Sequence, residues 1–334
     1  MRSFPGLDSQ REATMDTALD RDRNRNQPLL LALRALKLGD LLVAVPALRG
    51  LRRAFPEHRI WYAGPAWIAE ALELVGGIDH LPTPGLDHPL TVPHGLVDVA
   101  VNLHGNGGES RLRIQELGAK RVVAHASEGI DGPPWITGIP ERERWTRLLT
   151  WHGIDADPLD YRLNRPTVPS PRPGATVIHV GAAYGSRLWP VERFAGVAVE
   201  LTAAGHQVVL TGGTSERVRA EETAALAKLK GADLDEALLA GQQGLAEFAA
   251  TIADARLVIS ADTGAAHLAS AYGRPSVVLF GPAPAEEWGP PPGPHVVLTA
   301  VELRRGDVFS AEPDPALMAV GVHDVLDAVE RLGC

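Results

Sequence analysis

Two doubly wound α/β domains facing an interdomain cleft are the fold this sequence predicts, on three observations. Short apolar runs of strand length alternate with longer stretches of helical character, in one series over 29–152 and a second over 175–332. Between them, 157–174 carries Pro158, Pro166, Pro169, Pro171 and Pro173; such proline density reads as a stiff, extended linker. A length of 334 residues also exceeds what one core usually fills, so two domains of about 150 residues each are expected. The predicted divisions are a polar mobile tail over 1–27, a first Rossmann-like domain over 28–165, a proline-rich linker over 166–174 and a second Rossmann-like domain over 175–334.

Each element follows from local pattern. Leu29–Leu33 is a continuous apolar run suited to a strand buried on both faces. A helix over 41–54 places Leu48 and Leu51 on one side and Arg49, Arg52 and Arg53 on the other. A strand over 59–63 precedes a helix over 65–75, which Gly76-Gly77 stops. Strands at 97–103 and 121–125 and a helix over 141–152 complete the first series. The second series runs strand 175–180, helix 190–204 with Pro190 in its favoured first turn, strand 207–210, helices 215–229 and 244–253, and strand 256–260. Helix Gly264–Tyr272, strand 276–280 and a closing helix over 323–332 end it. No short tandem period of the repeat-protein type is visible.

Composition narrows the function classes. A chain 45% hydrophobic and 22% charged is that of an ordinary globular protein. No apolar run reaches the roughly 18 residues of a membrane span. The start, with RDRNRNQ at 21–27, lacks the apolar core of a signal peptide. Cys334 is the single cysteine, which leaves no disulfide framework or thiolate metal cluster and fits a reducing compartment. A net charge of −9 argues against a dedicated nucleic-acid binder. The expected setting is cytoplasmic, with at most peripheral membrane contact through the basic clusters Arg49/Arg52/Arg53 and Lys120/Arg121.

The informative residues sit where strands stop. After the first strand comes Arg34-Ala35-Leu36-Lys37-Leu38-Gly39-Asp40. Gly39 allows a tight turn and Asp40 stands at or near a helix start, either as a simple cap or as a general base. The loop Val180 to Pro190 holds Gly181, Ser186 and Arg187, a layout that presents backbone N–H groups and a fixed cation to phosphate. Trp189 in the same loop reads as a packing residue. After the strand ending at Leu210, Gly212 and Gly213 precede Glu216, which either accepts ribose hydroxyls or serves as a first-turn helix carboxylate.

Most specific is Ser260 to His267. Gly264 opens a helix fit to hold a pyrophosphate, Asp262 can bind sugar hydroxyls, Thr263 can donate to phosphate, and His267 lies one turn on. On the acceptor side, His104, Asn106, Glu109, Arg111 and Arg113 follow the third strand, either as ligand contacts or as a solvated loop and helix start. Asp233 and Asp235 have the spacing of a metal motif but follow a helix in a connecting stretch, and are expected to face solvent.

The stretches RALKLGDLLVAVPALRGLRRAFP, HVGAAYGSRLWPVERF, LTGGTSE and DTGAAHLASAYGRPSVVLFGP, each at a strand's carboxyl end, resemble glycosyltransferase family 9, the ADP-heptose:lipopolysaccharide heptosyltransferase family. The resemblance runs from about Leu29 to Pro290. It implies a GT-B fold and inversion at the anomeric carbon without a metal or other cofactor, the co-substrate being a nucleotide sugar, ADP-heptose. By the same resemblance Asp40 is the catalytic base, Glu216 contacts the ribose, and Asp262, Thr263, Gly264 and His267 form the donor-binding segment. Arg187 departs from the family, which places a lysine there: the charge is kept, but a point donor becomes a planar fork. The acceptor is either a lipid-linked saccharide core or a small secondary-metabolite core. A GT-B-fold sugar-nucleotide epimerase and a non-catalytic nucleotide-sugar-binding protein are the competing readings. A nicotinamide-dependent oxidoreductase is disfavoured, because the first turn holds only Gly39.

Overall fold

The computed structural model describes residues 27–334, so the tail over 1–27 lies outside the described residues except for Gln27. The first half contains β1 (Leu29–Leu33), α1 (Leu38–Ala54), β2 (Arg59–Gly64), α2 (Ala69–Val75), β3 (Asp79–Pro82), β4 (Val97–Asn102), α3 (Gly108–Gln115), β5 (Arg121–Val123) and α4 (Glu141–Trp151). Its strands form one parallel sheet in the order β3-β2-β1-β4-β5. The second half contains β6 (Thr176–His179), α5 (Val191–Ala203), β7 (Val208–Thr211), α6 (Arg217–Leu229), α7 (Leu245–Ala253), β8 (Leu257–Ala261), α8 (Gly264–Tyr272), β9 (Ser276–Leu279), α9 (Ala285–Trp288), β10 (His295–Leu298), α10 (Pro315–Met318) and α11 (Val322–Leu332). Its sheet is also parallel, in the order β10-β9-β8-β6-β7.

Two parallel-sheet α/β domains are thus present, as the alternating pattern predicts. β1, β6, β8 and β9 are buried along their whole length, the signature of strands covered on both faces. Both sheets reverse strand order once, between β1 and β4 in the first and between β6 and β8 in the second. At such a switch point neighbouring loops turn to opposite faces and leave a crevice at the strand carboxyl ends. The loops at these two points are those carrying Asp40 and His104, and Arg187 and Asp262.

Some elements differ from the sequence reading. α1 begins at Leu38 rather than at 41, because the Asp40 carboxylate accepts the Lys37 amide at 3.1 Å and draws the preceding residues into the first turn. Pro46 sits inside α1; it removes one backbone donor, in a helix whose burial from Leu41 to Leu48 holds it regardless. β3 is an additional edge strand, and its sequence, Asp-His-Leu-Pro, has no apolar run to predict it. β10, the opposite edge of the other sheet, is only half-buried throughout. The stretch after Asn106 is a helix start, α3.

The halves are joined by packing as well as by the chain. One buried cluster runs from Leu48 and Leu72 in the first half to Ile252 and Leu268 in the second. Glu70 of α2 accepts the Ala246 amide in the first turn of α7 at 2.7 Å, a carboxylate at a helix N-terminus. The connecting segment touches both sides: the Asn164 amide donates to Leu74, and Tyr272 Oη donates to the Asn164 carbonyl. Among the described residues, no helix is long and apolar enough to cross a membrane.

Candidate active site

At the first switch point β1 runs into a turn that α1 closes. Asp40 is the third residue of α1, with Oδ2 on the Lys37 amide and Oδ1 3.2 Å from the Arg34 guanidinium. One Asp40 oxygen therefore orders the helix start, as the cap reading has it, while the side chain stays partly open to the cleft. Arg34 is fully buried, over the Trp145 ring at 4.6 Å. Burial of the Arg34 guanidinium cannot be read from its loop position in the sequence.

His104 comes into the same site from the end of β4. Its Nδ1 accepts the Ala35 amide at 3.2 Å, so the neutral ring carries its proton on Nε2. Burial pushes the His104 imidazole down to about 4, and the Arg34 guanidinium adds to this. Asn106 Oδ1 is buried without a hydrogen-bond partner in the protein, as expected of a group that meets a ligand or water. Arg111 is half-buried in α3, whereas the Arg113 guanidinium is turned to Glu116 at 3.0 Å and Glu109 is exposed.

The second switch point gathers the donor-side residues. The loop after β6 ends in a short turn, Gly185–Arg187. Arg187 reaches across to β8, where Nη1 stands 3.0 Å from Asp262 Oδ2 and donates to the Asp262 carbonyl at 3.3 Å. Asp262 Oδ2 lacks an aligned hydrogen bond and Arg187 Nε is unpartnered, so the pair is held by charge rather than by matched geometry. His267 Nε2 lies 3.8 Å from Asp262 Oδ1. Burial raises the Asp262 pKa, with Arg187 and His267 opposing. Burial also lowers the pKa of His267, against the pull of Asp262 and Asp40.

Thr263 caps α8, its Oγ accepting the Ala265 amide at 3.3 Å, which leaves its O–H free to donate. Glu216 accepts the Gly213 amide and so fills the helix-start role. Its carboxylate lies directly over Gly181, where an added Cβ would stand 2.0 Å from the carboxyl carbon. Gly212 has Glu216 Cβ over it in the same way. Ser186 is enclosed, its hydroxyl donating to Val308 and its amide to Ser310. Trp189 packs against Phe194 in the core and donates Nε1 to Val320 at 2.9 Å. Asp233 and Asp235 are exposed and both face Lys228.

The two sites are one cleft. A Cβ on Gly39 would stand 2.9 Å from His267 Cδ2, and one on Gly264 would stand 2.8 Å from a Leu38 methyl. Glycine at both places lets the N-termini of α1 and α8 meet. Lys37 Nζ lies 4.4 Å over the Tyr184 ring, joining the first turn of one half to the donor loop of the other. The Asp40 charge acts on both Asp262 and His267. Two helix N-termini and the Arg187 cation thus converge beside a carboxylate, an arrangement fit to hold a diphosphate while a neighbouring group takes a proton.

Comparison with known proteins bears on this geometry. Residues 150–308 match the family model of glycosyltransferase family 9 (heptosyltransferase). Lipopolysaccharide heptosyltransferase 2 of Escherichia coli is 29% identical over 305 residues, covering 76% of this chain and 82% of that protein. Among solved structures, a glycosyl transferase family 9 protein from Veillonella parvula superposes with a TM-score of 0.70 at 18% identity, over 91% of this chain and 97% of that one. The E. coli ADP-heptose lps heptosyltransferase II superposes with a TM-score of 0.67 at 19% identity, over 91% and 98% of the two chains. The fold is therefore that of the GT-B heptosyltransferases.

Proposed function

We propose that this chain, whose residues 150–308 match the family model of glycosyltransferase family 9, is an inverting, metal-independent glycosyltransferase. It moves a heptosyl group from ADP-heptose to an acceptor hydroxyl, with Asp40 as general base, in the cytoplasm. The observation that carries the reading is the meeting of the α1 and α8 N-termini, with Asp40 on one side and Arg187, Thr263 and Gly264 on the other.

In this mechanism the acceptor oxygen attacks the anomeric carbon and its proton passes to Asp40. The bond to ADP breaks on the opposite face, which inverts the centre. The charge that grows on the leaving diphosphate falls to the first-turn amides of α8, the Thr263 hydroxyl and Arg187, which are fixed before the reaction begins. Asp262 holds Arg187 by its charge until a phosphate competes for it. Glu216 faces the ribose hydroxyls, over a Gly181 backbone that leaves no room for a side chain. His104, neutral with Nε2–H as donor, orients the acceptor with Asn106 and Arg111. ADP-heptose as donor rests on the names of the relatives above.

For the acceptor, the relatives' names supply a lipopolysaccharide. One observation favours a compact acceptor instead. A cavity of about 640 Å³ opens beside Lys37, lined by Leu36, Pro65, Trp67, Pro82 and Pro84 among others, and Lys37 is the one cation among its lining residues. That wall suits an acceptor with an apolar face better than a polyanionic one.

Thermal unfolding with ADP, UDP, GDP or dTDP, each with EDTA, tests the donor side without an acceptor. ADP at about 100 times its Kd raises Tm by several degrees, undiminished by EDTA. Preference for another nucleotide removes ADP-heptose as donor, a gain lost in EDTA removes metal independence, and silence towards all four removes the nucleotide site.

A further inference from the structure

Arg34 is the buried member of the Asp40 pair, and its surroundings lead to the other half of the molecule. Its Nε donates to the Asp40 carbonyl at 2.6 Å, one Nη lies 3.2 Å from Asp40 Oδ1, and the other donates to the Leu103 carbonyl. Beyond it, Glu141 Oε2 stands 3.7 Å from the same guanidinium. Glu141 accepts Arg144 Nε at 2.5 Å, and Arg144 lies over the Trp135 ring at 4.1 Å. Arg144 is also 3.9 Å from Glu287 of α9, whose other oxygen accepts the Gly138 amide at 2.5 Å. Arg142 donates to the Gly289 carbonyl just past that helix at 3.3 Å.

Resting on the reading of Asp40 as base, we propose that Arg34 is a positioning residue for it, and that the chain Asp40–Arg34–Glu141–Arg144–Glu287 ties the base to the seating of the second half. Signs alternate along the chain, and its three inner members are buried. A buried charge is tolerated only when paired, so each inner member depends on both neighbours, and weak local screening carries a change at one end to the next pair. Three separate acceptors on one guanidinium also demand the planar fork, which lysine lacks. Glu287 reaches the chain only when α9 is docked against 138–144. The base is therefore held in its working rotamer by a contact that the other half completes.

Two cycles test this. The first uses thermal unfolding and needs neither donor nor acceptor: Arg34→Lys, Glu287→Gln and the double variant. Coupling makes the Tm loss of the double variant smaller than the sum of the single losses by about 2 °C or more; additive losses overturn the chain. The second reads ADP release from ADP-heptose with water as acceptor. Arg34→Lys lowers kcat about 10²-fold with KM within twofold, and Glu287→Gln lowers kcat a few-fold in the wild type but not in the Arg34→Lys background. A kcat within twofold of wild type in Arg34→Lys overturns the positioning role, and equal losses from Glu287→Gln in both backgrounds mark it as a docking contact only. Glu141→Gln replaces Arg34→Lys in both cycles if the latter does not fold. Failure of the underlying reading shows separately, as ADP release unchanged by Asp40→Asn.

Discussion

Each half of the molecule sets a carboxylate and an arginine at the start of a helix, and the two pairs are built the opposite way round. In the first half Arg34 is 1% exposed and Asp40 21%; in the second Arg187 is 23% exposed and Asp262 4%. The cleft therefore meets an anion from one side and a cation from the other, each backed by a buried counter-charge. In the proposed function the same pair of residue types serves as a proton acceptor in one place and a phosphate ligand in the other. What decides between them is which partner the strand end buries, because the buried partner is committed to the protein and the outer one is left for the substrate.

The sharpest way to break this comparison is to remove the outer member of each pair. Asp40→Asn lowers kcat for ADP release from ADP-heptose about 10³-fold while the ADP Kd stays within twofold. Arg187→Ala does the reverse, weakening ADP about 10- to 100-fold, with a lower Tm because Asp262 is left buried and unpaired; Arg187→Lys recovers most of the affinity. Isothermal titration beside single-turnover rates decides it, and loss of ADP binding in Asp40→Asn would merge the two pairs into one.

A smaller effect is expected at Gly181. Alanine there displaces the Glu216 carboxylate, since its Cβ would overlap it, and the ADP Kd rises about tenfold, the cost of one charge-assisted hydrogen bond. Unchanged affinity in Gly181→Ala would confine Glu216 to its helix-start role.

The smallest effect concerns the histidines beside the two pairs. His104 is held at about 4 against an ordinary 6.5. The folded chain withholds the proton that the unfolded chain takes up below 6.5, so this contribution to stability is present above 6.5 and is lost as pH falls towards 4. His104→Gln removes that loss. Its Tm falls less than that of the wild type between pH 7 and pH 4.5, by differential scanning fluorimetry, whereas His295, also held at about 4 but outside the cleft, keeps its share in both. Equal slopes would mean that His104 is free to protonate in the fold.

Much of this was legible beforehand because it is local. Apolar runs such as Leu29–Leu33 announce strands buried on both faces, and the glycines after Leu210 and before His267 announce strand ends with helix starts behind them. Asp40, Thr263 and Gly264 could be placed at helix N-termini from the same grammar. Arg34 could not, since nothing in a strand–turn boundary says that Trp145 and Glu141, more than 100 residues on, close over the guanidinium. Nor could the edge strand β3, whose residues Asp-His-Leu-Pro have no apolar pattern of their own and pair only because a neighbouring strand offers free backbone groups.

Two α/β units, the loops at their strand ends and the residue types those loops bring to bear all follow from the order of residues along the chain. Pattern and turn chemistry act over a few residues and need no partner. Packing alone sets which arginine faces inward, brings Gly39 to His267 and Gly264 to Leu38, and lines up alternating charges from Asp40 to Glu287. Those relations depend on burial and on distances between chain segments far apart in sequence, and the cleft exists only once both sheets have packed and brought their switch points together.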